Sequence, residues 1–232
     1  MKILIPVIAA VCLSSAVFAQ QKMTVLAKGD TTLEGSLPPE MIFAFDGFRE
    51  ATIIANDGTE NQTRVNIHLY TGDVYFLSGA NQILVLAFPL EISRILIGDA
   101  VWLQVKGAFW EVMSDDDGIT LVAAKKTRLV NTRKESGYGT MSSASSVGRM
   151  ATIVTTGNQI STPLPVGEYD FTTNTEYMLV KDGKGVIASA GAFKKNYPTR
   201  KKEIDSFAKS NRIDFKNGDD LLKVMELCRR TN

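Results

Sequence analysis

Cysteine and histidine are scarce in this chain. Its 232 residues include two cysteines, Cys12 and Cys228, and one histidine, His68. A zinc site or a Ser-His-Asp triad would have to depend on that single imidazole. The alternation of residues 64–69 places His68 on the polar face of a strand, so we expect an exposed histidine at the rim of the fold. The sequence therefore predicts neither a metal site nor a cofactor.

Long apolar segments are also few, and the clearest one lies at the N-terminus. Residues 3–11 are apolar, they follow Met1-Lys2, and Val17-Phe18-Ala19 supplies small residues for cleavage. This is the pattern of a secretory signal peptide over residues 1–19. The run is shorter than the roughly 20 residues that span a bilayer. We predict an exported protein, periplasmic or outer-membrane-associated, with no transmembrane segment after signal removal and with Cys228 as a buried lone thiol.

Alternation with a period of two dominates residues 40–132, and turn residues interrupt it every eight to twelve positions. Short alternating segments joined by tight turns are typical of antiparallel sheets. The acidic run Asp115-Asp116-Asp117-Gly118 lacks the ligand spacing of a calcium loop and is interpreted as a hairpin turn. The predicted strands are residues 41–45, 48–56, 62–69, 74–78, 82–88, 92–97, 100–106, 108–113 and 119–131.

The period changes near the C-terminus. Beyond Pro198, apolar residues recur at helical spacing, and Asn217 precedes a second amphipathic run as a helix cap. The fold class is therefore mainly β (an antiparallel meander, sandwich or partly open barrel) with a C-terminal pair of α-helices, that is, α+β. The helices must bury their apolar faces on the sheet or on a partner, and the sequence leaves both open.

These patterns divide the chain into five parts: a signal peptide over 1–19, a β-rich domain over 20–133, a Gly/Ser-rich flexible loop over 134–150, an additional β-hairpin region over 151–190 and a basic helical pair over 191–232. The loop has no Gly-Lys-Ser/Thr phosphate motif, and no histidine follows it in the chain to activate its serines. Tyr138, between two glycines, is expected to anchor this loop. Whether residues 151–190 join the main sheet is left open.

Charge is distributed unevenly. Residues 20–190 contain 14 Lys and Arg against 19 Asp and Glu, whereas residues 191–232 contain 11 against 6. A basic end on an acidic body indicates contact with an acidic partner or an anionic surface. Export and the interleaved Glu203 and Asp205 argue against nucleic acid. The candidate basic residues are Lys194, Lys195, Arg200 and Lys201.

Several non-catalytic motifs extend over most of the chain: Asp57-Gly58, Ile97-Gly98-Asp99, Gly137-Tyr138-Gly139, Phe193-Lys194-Lys195-Asn196-Tyr197-Pro198, Asn211-Arg212-Ile213-Asp214-Phe215 and Asp220-Leu221. In this combination the chain resembles a family of secreted proteins of Bacteroidetes-type Gram-negative bacteria. The resemblance is strongest toward the C-terminus. It implies a location in the cell envelope and no particular reaction.

The leading hypothesis is a non-enzymatic envelope protein that acts by protein–protein interaction. Trp102 alternates with polar residues: it is expected to be partly exposed if Val101, Leu103 and Val105 face the core, and otherwise to pack under the helices. If exposed, it would contact a partner together with Tyr138 and the basic residues. The alternative is a carbohydrate- or lipid-binding module, with a glycan or lipid as ligand, or a carboxylate-dependent hydrolase. Its cleft would lie in the β domain, lined by Trp102, Trp110 and Tyr75. Its candidate carboxylates are Glu50, Glu111 and Glu168.

Overall fold

A computed structural model describes residues 21–80, 82–135, 141–143, 154–156 and 159–229. Antiparallel strands dominate these residues, and helices lie near the C-terminus, as the sequence predicted. The described strands are β1 (Gln21–Ala27), β2 (Arg49–Ala55), β3 (Glu60–Ile67), β4 (Val74–Leu77), β5 (Ile83–Val85), β6 (Ile92–Ile97), β7 (Ala100–Val105), β8 (Ala108–Asp116), β9 (Ile119–Glu135), β10 (Met141–Ser143), β11 (Val154–Thr156), β12 (Gln159–Ser161), β13 (Gly167–Lys181) and β14 (Lys184–Ile187).

The helices among the described residues fall into two groups. Two single-turn helices lie between β1 and β2, and three helices follow β14. They are α1 (Leu33–Ser36), α2 (Pro39–Ile42), α3 (Ala190–Asn196), α4 (Lys201–Ser210) and α5 (Gly218–Arg229). Short 3₁₀ turns occur at Pro89–Glu91 and Pro198–Arg200. Among the described residues, no helix has the length and apolar composition needed to cross a membrane.

One large antiparallel sheet contains most of the strands. Its order is β1-β13-β9-β8-β7-β6-β2-β3-β4-β5, with β10 added to β9 and β14 added to β13. The long strands β9 and β13 form its centre, and β1 and β14 pair with successive parts of β13. The hairpin β13–β14 therefore belongs to the main sheet, which the sequence alone had left open. Strands β11 and β12 form a separate two-stranded sheet.

The C-terminal helices pack on this same sheet. Phe193, Ile204 and Leu221 are fully buried, and they share one core cluster with Leu121 of β9 and Leu179 of β13. Asn217 caps α5 as predicted, since its Oδ1 accepts a hydrogen bond of 3.1 Å from the Asp220 amide. The apolar faces of the helices are thus buried within one chain rather than on a partner.

Most of the predicted strands are confirmed, but the segment 41–45 is not a strand. Pro39 starts α2 because its fixed φ suits the first turn of a helix. Phe43 then makes only an isolated bridge with His68. Sequence reasoning also missed β1, although Met23, Val25 and Ala27 alternate toward the core, and it missed α3. Of the flexible loop predicted over 134–150, Lys134 and Glu135 instead continue β9, and Met141–Ser143 form β10. Residues 136–140 and 144–150 lie outside the described residues.

Gly185 marks a place where β14 approaches β7 closely. A Cβ at this position would lie 2.7 Å from Val105 Cγ1 and 3.1 Å from Met178 Cε. We expect Gly185→Ala to lower the free energy of unfolding by about 1–3 kcal/mol, because the packed neighbours would have to move. Urea unfolding would measure this change. Gly79→Ala is the matched control, since nothing lies within 4 Å of its Cβ position; equal effects of the two substitutions would contradict the prediction.

Candidate binding surface

A cluster of lysines surrounds α3. An open depression of about 400 Å³ on one side of this helix is lined by Gly191, Lys194, Lys195, Lys201 and Asp205. A second depression, of about 160 Å³, lies between α3 and the hairpin β13–β14, where Lys181, Lys184 and Lys195 surround Leu179 and Val186. Lys195 lines both depressions. We call Lys181, Lys184, Lys194, Lys195 and Lys201 together the basic surface.

A tight turn presents the first two lysines of this surface. Asp182 and Gly183 connect β13 to β14 with φ values of 50° and 70°. Two successive residues with positive φ are typical of a type I′ hairpin turn, which Asp-Gly favours. The turn places Lys181 directly opposite Lys184 in the ladder. Like charges in this position repel each other, so the hairpin keeps two cations together at a cost in stability.

The helix α3 presents the next two lysines. Ser189 caps the helix, because its Oγ accepts a hydrogen bond of 3.2 Å from the Ala192 amide. Phe193 is fully buried and sets which side of the helix faces the sheet. Lys194 and Lys195 lie in the last turn, where a positive charge interacts favourably with the helix dipole.

The basic surface carries an excess of positive charge. Lys194 Nζ lies 2.8 Å from Asp205 Oδ1, in an ion pair whose carboxylate side chain is 58% exposed. Within the described part of the chain, the remaining four lysines of the surface make no ion pair. The acidic residues that line the two depressions are Asp182 and Asp205. Because the five lysines outnumber them, an anion that approaches α3 meets a net positive field.

Arg200, the fourth basic residue proposed from the sequence, is used within the fold. Its Nη1 donates a hydrogen bond of 2.7 Å to the Leu227 carbonyl, and it lies 3.1 Å from Glu203 Oε2. Its side chain is only 12% exposed. The structure thus brings Lys194, Lys195 and Lys201 together, adds Lys181 and Lys184, and leaves Arg200 as a residue that secures the end of α5.

The expectation that Trp102 is partly exposed is wrong. Its ring is 6% exposed and lies 6.0 Å from the ring of Phe45, because residues before β2 cover this face of the sheet. Trp110 is 4% exposed and Tyr75 is fully buried, each in a different part of the core. The predicted cleft lined by these three aromatic side chains is therefore also wrong. Tyr138 lies outside the described residues.

The candidate carboxylates of the hydrolase alternative are not brought together as a pair. Glu111 pairs with Ala123 of β9, whereas Glu168 pairs with Arg133 of the same strand. Ten residues of strand separate these positions by about 30 Å, and two catalytic carboxylates must lie within about 10 Å of each other. Glu168 forms an ion pair of 2.8 Å with Arg133, and Glu50 is almost fully exposed.

Sequence reasoning also missed a buried polar cluster that contains the single histidine. His68 is fully buried, so the expectation of an exposed histidine is wrong. Its Nδ1 accepts a hydrogen bond of 3.3 Å from the Thr71 amide, which leaves the proton of a neutral ring on Nε2. Nε2 lies 3.5 Å from Glu34 Oε1, too far for a well-formed hydrogen bond but close enough for the ring N–H to face the carboxylate.

Glu34 joins this histidine to a distant part of the chain. Its Oε2 accepts a hydrogen bond of 2.7 Å from the Thr162 amide, and its Oε1 accepts another of 2.7 Å from the Thr162 hydroxyl. Burial alone would raise the pKa of Glu34, but the His68 ring and the bonds from Thr162 outweigh burial and hold this pKa below its usual value. We name this group the Glu34–His68–Thr162 cluster.

The Glu34–His68–Thr162 cluster is arranged for stability rather than for catalysis. His68 and Thr162 are both fully buried, so a substrate cannot reach the imidazole or the hydroxyl. The cluster ties α1 to the end of β3 and to the residue after β12. No sequence signal could have found it, because residues 34 and 162 have 127 residues between them and no local pattern relates them.

Two further sequence interpretations are confirmed, the hairpin turn after β8 and the burial of Cys228. Asp117 and Gly118 form the turn between β8 and β9 with φ values of 48° and 76°, which is a hairpin turn rather than a calcium loop. The described residues hold no group of three His, Cys, Asp or Glu residues that could bind a metal ion. Cys228 is buried, and burial raises the pKa of its thiol to about 11. A protonated, buried thiol is a poor nucleophile at neutral pH.

No family model, curated protein or solved structure matches this chain.

Proposed function

We propose that this protein is an exported, non-enzymatic protein of the cell envelope that binds an acidic partner protein through its basic surface. The N-terminal signal pattern and the resemblance to secreted proteins support export. The observation that carries the binding role is the cluster of five lysines around α3, assembled from a hairpin and two helices.

The shape of the basic surface favours a macromolecular partner over a small ligand. Small-molecule sites are concave and mostly apolar, with a few buried polar groups that fix orientation. The depressions beside α3 are shallow, and exposed lysines surround them. Flexible cations at a surface accelerate encounter with an oppositely charged protein and suppress wrong partners, while they contribute less to affinity itself. Binding should therefore weaken as salt rises, because ions screen exposed charges over about 10 Å at 0.1 M.

Reversal of two charges on the basic surface tests this proposal. We expect Lys184→Glu combined with Lys195→Glu to reduce capture of the partner at least tenfold, because the net charge falls by about four units where the partner contacts the protein. A photoreactive amino acid at position 196, beside the second depression, would capture the partner in intact cells, and mass spectrometry would quantify the adduct.

The matched control is Lys22→Glu combined with Lys28→Glu. Both residues are exposed and lie in or beside β1, so this variant changes the net charge equally at a different place. We expect the control variant to form the adduct as the native protein does. We also expect the cross-linked peptide of the partner to be rich in Asp and Glu. A protein recovered only as a free monomer, or equal capture by the two double variants, would refute the proposal.

A further inference from the structure

The strand β14 forms a free edge of the main sheet beside the basic surface. Within the residues that the structure describes, β14 pairs only with β13. An edge strand presents backbone N–H and C=O groups on which another extended chain can form hydrogen bonds. The edge lies next to Lys184 and Lys195, so a partner held by these lysines is positioned to reach it.

The hydrogen-bond pattern identifies which backbone groups are free. The Ala188 amide donates a bond of 2.9 Å to the Tyr177 carbonyl of β13. In an antiparallel pair, hydrogen-bonded residues alternate with residues whose N–H and C=O point away. Counting back from Ala188, Val186 and Lys184 bond to β13, whereas Gly185 and Ile187 direct their backbone groups outward. Gly185 is buried, so the accessible backbone groups of this edge are those of Ile187.

The side chains of β14 specify what the edge would accept. Ile187 is 78% exposed, an unusual exposure for so large an apolar side chain. Lys184 and Val186 point to the opposite face, toward α3, because successive side chains of a strand alternate. An added strand would therefore meet an apolar side chain on one face and lysines on the other.

We propose that the partner binds by adding an extended segment to the edge of β14, with acidic residues toward Lys184 and Lys195 and apolar residues toward Ile187. The mode is strand addition, in which main-chain hydrogen bonds contribute affinity and alternate side chains contribute specificity. This inference rests on the proposed function, since it names how the same partner is held. The lysines repel basic strands and so also reduce non-specific pairing at the edge.

A synthetic octapeptide of alternating valine and glutamate is the probe. Hydrogen exchange followed by nuclear magnetic resonance would measure each amide of β14 with and without the peptide. We expect the peptide at saturation to slow exchange of the Ile187 amide about tenfold, because this amide gains a bond. The Lys184 and Val186 amides, which already bond to β13, serve as the internal control.

A second peptide and two variants separate strand addition from charge attraction. The control peptide has the same sequence with alternate amides N-methylated, which removes its donors on one edge while its charge is unchanged. Ile187→Pro removes an outward amide that β13 does not use, and Ile187→Ser removes the apolar contact while keeping the backbone. We expect binding to weaken at least tenfold for the methylated peptide and for Ile187→Pro, and about threefold for Ile187→Ser.

Two results would overturn strand addition: unchanged exchange of the Ile187 amide, or equal binding of the methylated and unmethylated peptides. Suppose that one of these two results is obtained, and that the Lys184→Glu and Lys195→Glu variant binds neither peptide. Binding through the basic surface is then supported, and only strand addition is refuted. If the peptide binds this variant as well as the native protein, the proposed function fails too.

Discussion

Replacing Glu34 with alanine is expected to lower the free energy of unfolding by about 3–5 kcal/mol, since several buried hydrogen-bond donors lose their acceptor at about 1–3 kcal/mol each. The Thr162 amide and hydroxyl would both lose their acceptor, and His68 Nε2 would lose its nearest carboxylate. Urea unfolding of the purified protein would measure the change.

Glu60→Ala is the control for this substitution. Glu60 is an exposed carboxylate on β3, so its removal should change the free energy of unfolding by less than about 0.5 kcal/mol. A loss below about 1 kcal/mol for Glu34→Ala would show that the Glu34–His68–Thr162 cluster is not what ties α1 to the sheet.

The charge of Glu34 can be separated from its hydrogen bonds by Glu34→Gln and by pH. Because the folded pKa lies below the ordinary value of 4.5, the unfolded chain takes up the proton first as pH falls. The stabilisation from the charge is therefore fully present above about pH 5, one-half unit or so over the unfolded pKa, and is lost as pH falls through the folded pKa. We expect the stability difference between the native protein and Glu34→Gln to be constant from neutral pH to pH 5 and to shrink below pH 4.5. A difference that grows on acidification would contradict this sign.

Replacing Phe193 with alanine is also expected to lower the free energy of unfolding by about 3–5 kcal/mol. Phe193 is fully buried between α3 and the sheet, and its ring lies 6.1 Å from the ring of Phe215. Loss of a buried aromatic side chain removes its transfer free energy and leaves a cavity that neighbouring helices fill only in part. The midpoint of urea unfolding and its slope would show the change.

Phe88→Ala is the matched control, because Phe88 is 68% exposed. Its removal should change the free energy of unfolding by less than about 0.5 kcal/mol. The loss for Phe193→Ala should be independent of protein concentration, since the helices pack on the sheet of their own chain. A concentration-dependent loss would instead place the helices on a second molecule.

Local pattern was enough to predict most elements, and the errors have an identifiable cause. The alternation in β3 correctly predicted that Val65 and Ile67 are buried. It also predicted that Asn66 and His68 face solvent, yet both are buried. The segment before β2 covers that face, and Asn66 Nδ2 donates a bond of 2.9 Å to the Phe45 carbonyl. A period of two separates the two faces of a strand, but it does not reveal what lies over the second face.

The basic surface also shows that local sequence does not reveal which distant residues meet in the fold. Lys194, Lys195 and Lys201 are close in sequence and were predicted as a group, whereas Lys181 and Lys184 join them because β14 leads directly into α3 and the helix folds back beside the hairpin. Arg200 was included on its charge, but its contact with the Leu227 carbonyl depends on where α5 ends in space.

The sequence by itself determined the strand and helix classes, the hairpin turns, the cap of α5 and the uneven charge, because spacing, turn residues and composition act within a few positions along the chain. Only the tertiary structure decided that Trp102 is covered, that Glu34, His68 and Thr162 meet, and that the free edge of β14 adjoins the basic surface. These outcomes depend on contacts between residues far apart in the chain, which no local period encodes.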